Sequence, residues 1–292
     1  MEKPSIFSRH FILILAFLVS AVPSVVSAVP ANAQQANELT QAIAYYTQDA
    51  EISGNADYAR ERCVLDVYRP QTASKNAPVI VWFHGGGLSG GNRHIPAQFR
   101  DQKFLVVPVN YRLYPQASCR DAIFDAAASV AWTFRNIEKY GGDPKKIYVS
   151  GHSAGGYLSA MIALDPQYLG KFGISNMELA GVFPISGQMT THFQVVGERA
   201  EPGKKHGANN PLCIDEMAPL YFTKVPCPNM HLLVGDPKLE WPARVEENYL
   251  LAAMLRTVKN HREVEIRSYE GTDHGTVAAP ACQYICDYLN AK

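Results

Sequence analysis

The strongest constraint on this chain is a short run that is apolar at every position. "VIVWF" (Val79–Phe83) joins β-branched, aliphatic and aromatic residues, without the polar alternation of a strand that has one wet face. "KFLVVPVNY" (Lys103–Tyr111) contains a similar run. Runs of this kind need cover on both faces, and a mostly parallel sheet packed between helices supplies it. "CVLDVYRP" (Cys63–Pro70), "KIYVSG" (146–151), "LAGVFPIS" (Leu179–Ser186), "NMHLLVG" (Asn229–Gly235) and "VEIRSYEG" (Val264–Gly271) read as further strands. Between them, Asp121–Gly142 has helical spacing, with Ile123, Ala127, Val130, Phe134 and Ile137 on one face and a Gly-Gly stop. "AGGYLSAMIAL" (154–164), "ARVEENYLLAAMLRTV" (243–258) and "ACQYICDYLNAK" (281–292) also read as helices. Strands alternating with helices imply an α/β fold with a central, mostly parallel β-sheet flanked by helices.

Charge excludes several functions. Lys+Arg and Asp+Glu each number 27, so no net basic field favours nucleic acid and no acidic tail exists. A 47% hydrophobic chain with 10% aromatics has enough apolar surface for a large core. The N-terminus reads as an export signal over residues 1–33. Lys3, Arg9 and His10 precede the apolar Phe11–Val22, and small-residue sites place cleavage after Ala28 or Ala33. The apolar run is shorter than the roughly 20 residues a span requires, and Pro23 follows it. The expectation is a secreted or periplasmic protein with no stable membrane span after signal removal. Residues 34–62 are polar and read as a loosely packed lead-in, leaving 63–292 as one domain. All six cysteines lie after the signal. Export permits disulfides, and Cys213 with Cys227 are spaced to close a local loop, but connectivity stays open. Cys282 and Cys286, one helical turn apart, are poorly placed to pair. The absence of a C-x-x-C pair argues against a zinc ribbon or a thioredoxin-like site.

The chemistry concentrates in three segments. "GHSAG" (Gly151–Gly155) places Ser153 between a strand and a helix. A tight strand-to-helix turn pushes the central side chain outward and tolerates only small neighbours, which suits a nucleophile. "FHGGGLSGG" (Phe83–Gly91) follows an earlier strand, where glycines let backbone N–H groups approach a developing oxyanion. Gly85 or Gly86, with Ala154 just after the serine, are the candidate donors. A phosphate loop is the rival reading, but the Walker lysine and the G-x-G-x-x-G pattern are both absent. "YEGTDHGT" puts His274 after the last strand, where an imidazole suits a general base. His152 and His84 read as packing or loop-bracing residues, as do Tyr111, Arg112 and Tyr114. His192–Cys213 reads as a rim, a short cap or an exposed insertion. Phe222, Trp241 and Leu88 are candidates to line an acyl pocket, although aromatic residues are more often core.

"HGGG", "VNYRLYPQA", "GGDPKKIYVSGHSAGG" and "GTDHG" occur in the order found in the α/β-hydrolase superfamily. They resemble its carboxylesterase branch, with hormone-sensitive-lipase-like, feruloyl-esterase-like and kynurenine-formamidase-like members. The resemblance runs from about Cys63 to the C-terminus. It implies Ser153 as nucleophile, His274 as base, Gly85, Gly86 and Ala154 as oxyanion donors, and no metal or organic cofactor. The acid departs from the pattern. The usual slot, three residues after Gly235, holds Lys238, which cannot orient an imidazolium. Asp236 and Glu240 flank that slot. Asp236 is slightly favoured because short carboxylates are the commoner partner; Asp273, beside His274, is a weaker option.

The implied activity is hydrolysis of carboxylic esters of small soluble substrates, acetylated or feruloylated carbohydrate among them. The same residues suit an amidase, formamidase or peptidase. No propeller domain is recognisable, which argues against a prolyl-oligopeptidase-type enzyme. Lys238 in the acid slot is the one feature favouring a catalytically silent binding protein on this scaffold. Oligomeric state leaves no mark in the sequence.

Overall fold

The computed structural model describes residues 37–200, 212–257 and 263–292. The apolar segment and cleavage sites read as an export signal lie outside the described residues.

Eight strands form one sheet: β1 (Glu38–Ala44), β2 (Val64–Arg69), β3 (Ala77–Phe83), β4 (Leu105–Val109), β5 (Gly142–His152), β6 (Gly181–Ile185), β7 (Met230–Val234) and β8 (Val264–Ser268). Their order is β1-β2-β4-β3-β5-β6-β7-β8. β1 and β2 pair antiparallel, as do β2 and β4, and every later pairing is parallel. The helices are α1 (Ala56–Arg62), α2 (Cys119–Asn136), α3 (Ala154–Leu164), α4 (Pro166–Gly170), α5 (Phe193–Arg199), α6 (Arg244–Arg256) and α7 (Ala278–Asn290).

The apolar run of β3 is divided between two cores. Val79, Val81 and Phe83 face the layer that holds α2, α3 and α6. Ile80 and Trp82 face Phe99, Phe104 and the buried side of α7. Every residue of β3 is buried, as the all-apolar pattern requires. α3 is also buried at every position, so it packs as a wholly internal helix beside β5 and β6. α2 begins with a capping box in which Ser118 accepts from the Asp121 N–H and Asp121 accepts from the Ser118 N–H.

Two boundaries and one pairing differ from expectation. The polar segment at 34–62 is not a loose lead-in: it supplies edge strand β1 and helix α1, and Ala59 of α1 is core. The helix expected over Asp121–Gly142 ends at Asn136 and tightens into a 3₁₀ turn at Ile137–Tyr140. Gly141, at φ 86°, closes that turn, and β5 starts directly at Gly142. Cys213 is a free, exposed thiol, so the local loop closure with Cys227 expected as one option is not made.

The parallel arrangement has a functional consequence. The C-terminal ends of β3, β5, β6, β7 and β8 lie along one edge of the sheet. Each is followed by a loop that brings a polar group to that edge, the usual location of sites in open α/β sheets.

Candidate active site

Ser153 sits between β5 and α3 with φ 58° and ψ −116°, a conformation unfavourable for any side-chain-bearing residue. The neighbouring glycines explain how it is held. A Cβ on Gly155 would lie 2.0 Å from the Phe83 carbonyl oxygen, and one on Gly151 would lie 2.5 Å from the same atom. No side chain fits either position, so β3 packs directly against the turn. The Ser153 N–H donates to Ile185 O at 2.9 Å, and Tyr157 N–H donates to Ser153 O at 3.0 Å. A serine at a helix N-cap usually spends its hydroxyl on the first turn. Ser153 does not; its hydroxyl is 2.9 Å from His274 Nε2.

His274 lies between β8 and α7. Its Nδ1 is 2.7 Å from Glu240 Oε1, so Nδ1–H donates to that carboxylate and Nε2 faces the serine. Ser153, His274 and Glu240 are all at least nine-tenths buried. Glu240 also accepts from the Ser186 hydroxyl at 2.6 Å and from the Trp241 N–H at 2.9 Å. Burial alone pushes the Glu240 carboxyl upward. The hydrogen bonds from His274, Ser186 and Trp241 outweigh it and hold the group down at about 2.

Asp236, the carboxylate slightly favoured from the sequence, does not meet His274. Its Oδ1 accepts from Lys238 N–H and its Oδ2 from Gly271 N–H, both at 2.9 Å, so it ties the β7 loop to the β8 loop at the surface. The reason is a turn. The Glu240 N–H donates to Asp236 O at 2.8 Å, a helix-like contact that folds the chain back and presents Glu240 inward. The longer glutamate side chain spans the remaining distance. Asp273 is likewise occupied elsewhere, accepting from the N–H groups of Gly275 and Thr276.

The serine opens onto a cleft of about 410 Å³ lined by Gly86, Gly87, Ser89, His152, Phe193 and Trp241 beside Ser153 and His274. Gly86 has φ 114°, and a Cβ there would lie 2.2 Å from Gly90 O, so only glycine permits this loop. Gly85 stands behind the serine, where a Cβ would be 3.4 Å from Ser153 Cβ. Ala154 is the first residue of α3, so its N–H has no acceptor within the helix. The placement thus brings Gly85, Gly86 and Ala154 to the serine; Gly87, also in the lining, was not singled out from the sequence.

The surrounding residues brace this arrangement. His84 donates from Nδ1 to Gly85 O at 2.6 Å and stacks on Tyr111, whose hydroxyl donates to His84 O at 2.8 Å. Burial holds His84 and His152 neutral, each lowered to about 4. His152 donates from Nε2 to His274 O at 2.6 Å, fixing the backbone of the histidine loop. Tyr114 N–H donates to Leu88 O at 2.8 Å. Arg112 acts further away, paired with buried Asp125.

Of the candidate pocket residues, only Trp241 lines the cleft. Leu88 is fully buried core and Phe222 packs against the same cluster. Sequence reasoning missed Phe193 and Ser186. Ser186 carries a readable signal, since it is a serine ending a parallel strand on the functional edge. Within His192–Cys213, Phe193–Arg199 forms α5 and residues 201–211 lie outside the described ones. Among the described residues, no group of His, Cys, Asp and Glu is clustered to hold a metal ion.

The family model BD-FAE matches residues 65–181, and the prolyl oligopeptidase family model matches residues 124–285, more than half of the chain. The second match corrects the expectation drawn from the missing propeller: the relationship lies in the hydrolase domain itself. Carboxylesterase NlhH of Mycobacterium tuberculosis (strain ATCC 25618 / H37Rv) is 41% identical over 102 residues, covering 33% of this chain and 32% of that protein. The para-nitrobenzyl esterase of Bacillus subtilis (strain 168) is 36% identical over 135 residues, covering 40% and 28%. The chain thus spans about a third of the length of the curated relatives it matches. Among solved structures, a truncated carbohydrate esterase from gut microbiota superimposes with TM-score 0.68 at 18% identity, over 89% of this chain and 99% of that one. Apo Thermogutta terrifontis esterase 2 gives TM-score 0.62 at 20% identity, over 88% and 94%. These likenesses establish an α/β-hydrolase fold.

Proposed function

Because the chain belongs to the prolyl oligopeptidase family and carries the α/β-hydrolase fold, we propose that it is a serine hydrolase of carboxylic esters. The observation that carries the reading is the unbroken line from Ser153 Oγ through both nitrogens of His274 to Glu240, at 2.9 and 2.7 Å. Ser153 attacks the ester carbonyl carbon while its hydroxyl proton passes to His274 Nε2. Glu240 stabilises the resulting imidazolium through Nδ1–H. The N–H groups of Gly86 and Ala154 receive the oxyanion. When the C–O bond breaks, His274 returns the proton to the leaving alcohol. The same nitrogen then takes a proton from water as it attacks the acyl carbon; the bond to Ser153 Oγ breaks, His274 passes that proton to Oγ, and the acid is freed.

The cleft's volume of about 410 Å³ supports a small ester, and among the described residues no Asp, Glu, Lys or Arg lines it, which supports an uncharged one. Similarity to esterases over 33–40% of the chain supports ester over amide. The prolyl oligopeptidase family match supports a second reading, cleavage of amide or peptide bonds with the same residues. Fluorophosphonate labelling tests the serine: wild type labels and Ser153→Ala does not, and equal labelling refutes the assignment. A panel of p-nitrophenyl esters, acetylated sugars and N-formyl amides then separates the two bond types.

We further propose that the protein is exported. The basic, apolar and small-residue segments before Ala33 support this. An N-terminus of the mature protein beginning at residue 29 or 34 is the expected result; an intact Met1 on the mature protein refutes it.

A further inference from the structure

We propose that Trp241 is a positioning residue for His274: its indole is the surface that holds the plane of the imidazole through both halves of the reaction. The inference rests on the serine-hydrolase reading above and extends it to a residue acting through the histidine.

The two hydrogen bonds, one at each ring nitrogen, act within the plane of the imidazole. Together with the bond at Cγ they leave small χ1 and χ2 changes that tip the ring out of that plane. The Trp241 ring opposes that motion. Its centroid lies 3.8 Å from that of His274, with the rings within 17° of parallel. The Trp241 backbone N–H also donates to Glu240 Oε1, the oxygen that accepts the hydrogen bond from His274 Nδ1–H. One pair of adjacent residues therefore sets both the in-plane anchor and the out-of-plane wall.

Trp241 is itself held. Pro242 follows it, and Arg244 N–H donates to Trp241 O at 3.1 Å. The Arg244 guanidinium carbon lies 5.8 Å from the indole centroid, and its NH1 donates to Ser186 O at 2.9 Å. Core packing does not account for the residue, because 39% of its surface is exposed. His152 divides the work: it fixes the backbone of the histidine through His274 O, and Trp241 fixes the ring.

The stacking matters most in the acyl-enzyme. There the serine oxygen carries the acyl group and Nε2 loses that partner. The ring is then anchored by Glu240 alone unless the indole holds it toward the incoming water. An aromatic face also favours the imidazolium formed in each step.

Trp241→Leu and Trp241→Phe in the full chain test this, with p-nitrophenyl acetate as substrate and thermal unfolding as control. Trp241→Leu is expected to lower kcat about tenfold, with KM within about twofold. Slower deacylation leaves a visible burst of p-nitrophenol. Trp241→Phe keeps a stacking ring and restores at least about half of wild-type kcat. Equal losses in both variants, or a change confined to KM, overturn the proposal and make Trp241 a cleft wall. Where Trp241→Leu does not fold, Trp241→Met carries the same comparison. Wild-type protein without Ser153-dependent turnover overturns the hydrolase reading and this proposal with it. Wild-type turnover that Trp241→Leu leaves unchanged overturns this proposal alone.

Discussion

Two histidine–glutamate pairs stand at opposite ends of β7. At the N-terminal end, His231 Nδ1 lies 3.0 Å from the Tyr284 hydroxyl, which donates to Glu265 at 3.1 Å. At the C-terminal end, His274 meets Glu240 directly at 2.7 Å. Both imidazoles stack on an aromatic ring, His231 on Phe183 and His274 on Trp241. They differ in what the second nitrogen finds. His231 Nε2 is buried without a hydrogen-bond partner, whereas His274 Nε2 reaches a conformationally strained serine beside an open cleft. A carboxylate behind a histidine therefore does not make a general base. The other nitrogen must face a group that can give up a proton to it, and the substrate must be able to arrive.

The comparison breaks most sharply at Ser153. Ser153→Ala is expected to lower kcat/KM for p-nitrophenyl acetate at least about 10,000-fold; a loss under tenfold would sink it. Next comes the carboxylate. Glu240→Gln keeps the shape but reverses what Nδ1 meets, with an expected loss of about 1,000-fold or more. Glu265→Gln, the matching change at the other pair, should stay within about twofold. Similar losses in the two variants would erase the distinction between the pairs. Asp236→Asn, which removes charge from a surface turn, should cost no more than about threefold. A loss near that of Glu240→Gln would restore Asp236 to the site.

The smallest effect is in stability against pH. Burial lowers His231 to about 4 from its usual 6.5, so the unfolded chain takes up a proton first as pH falls. Its contribution is complete above about pH 6.5 and declines toward pH 4. Glu240, held at about 2, contributes above about pH 4.5 and loses that contribution only as pH falls from there toward 2. Thermal unfolding of His231→Phe should show a shallower decline between pH 6.5 and 4, by at most about 1.4 kcal/mol per pH unit. Glu240→Gln should flatten the curve only below about pH 4.5. An unchanged profile in both variants would remove the electrostatic part of the contrast.

The sequence discloses these regions unequally. The serine turn is legible because its requirement is local: Gly151 and Gly155 are adjacent in the chain to the residue they expose. The parallel strands are legible because burial on both faces writes itself into composition, as in β3. Strand β1 is not, since it is an exposed edge strand whose polar residues resemble those of a loop. Leu88 and Phe222 stay open in the sequence because apolar character alone does not separate a cleft wall from a core. The carboxylate escaped a firm choice for another reason. Its direction depends on a backbone contact between Asp236 O and Glu240 N, and nothing in residue type announces that turn.

That turn also changes how the proposed triad can vary. Ser153, the proposed nucleophile, is welded to its neighbours by backbone atoms that admit no extra carbon, so its position leaves no room for drift. The carboxylate is delivered by a few residues of surface loop, and Lys238 occupies the alternative position with its side chain exposed. Moving the acid to that position, by combining Lys238→Asp with Glu240→Gln, requires rebuilding one loop and leaves the sheet untouched. The acid is thus a replaceable part on a fixed chassis, and related chains have room to carry it at different distances from the same strand.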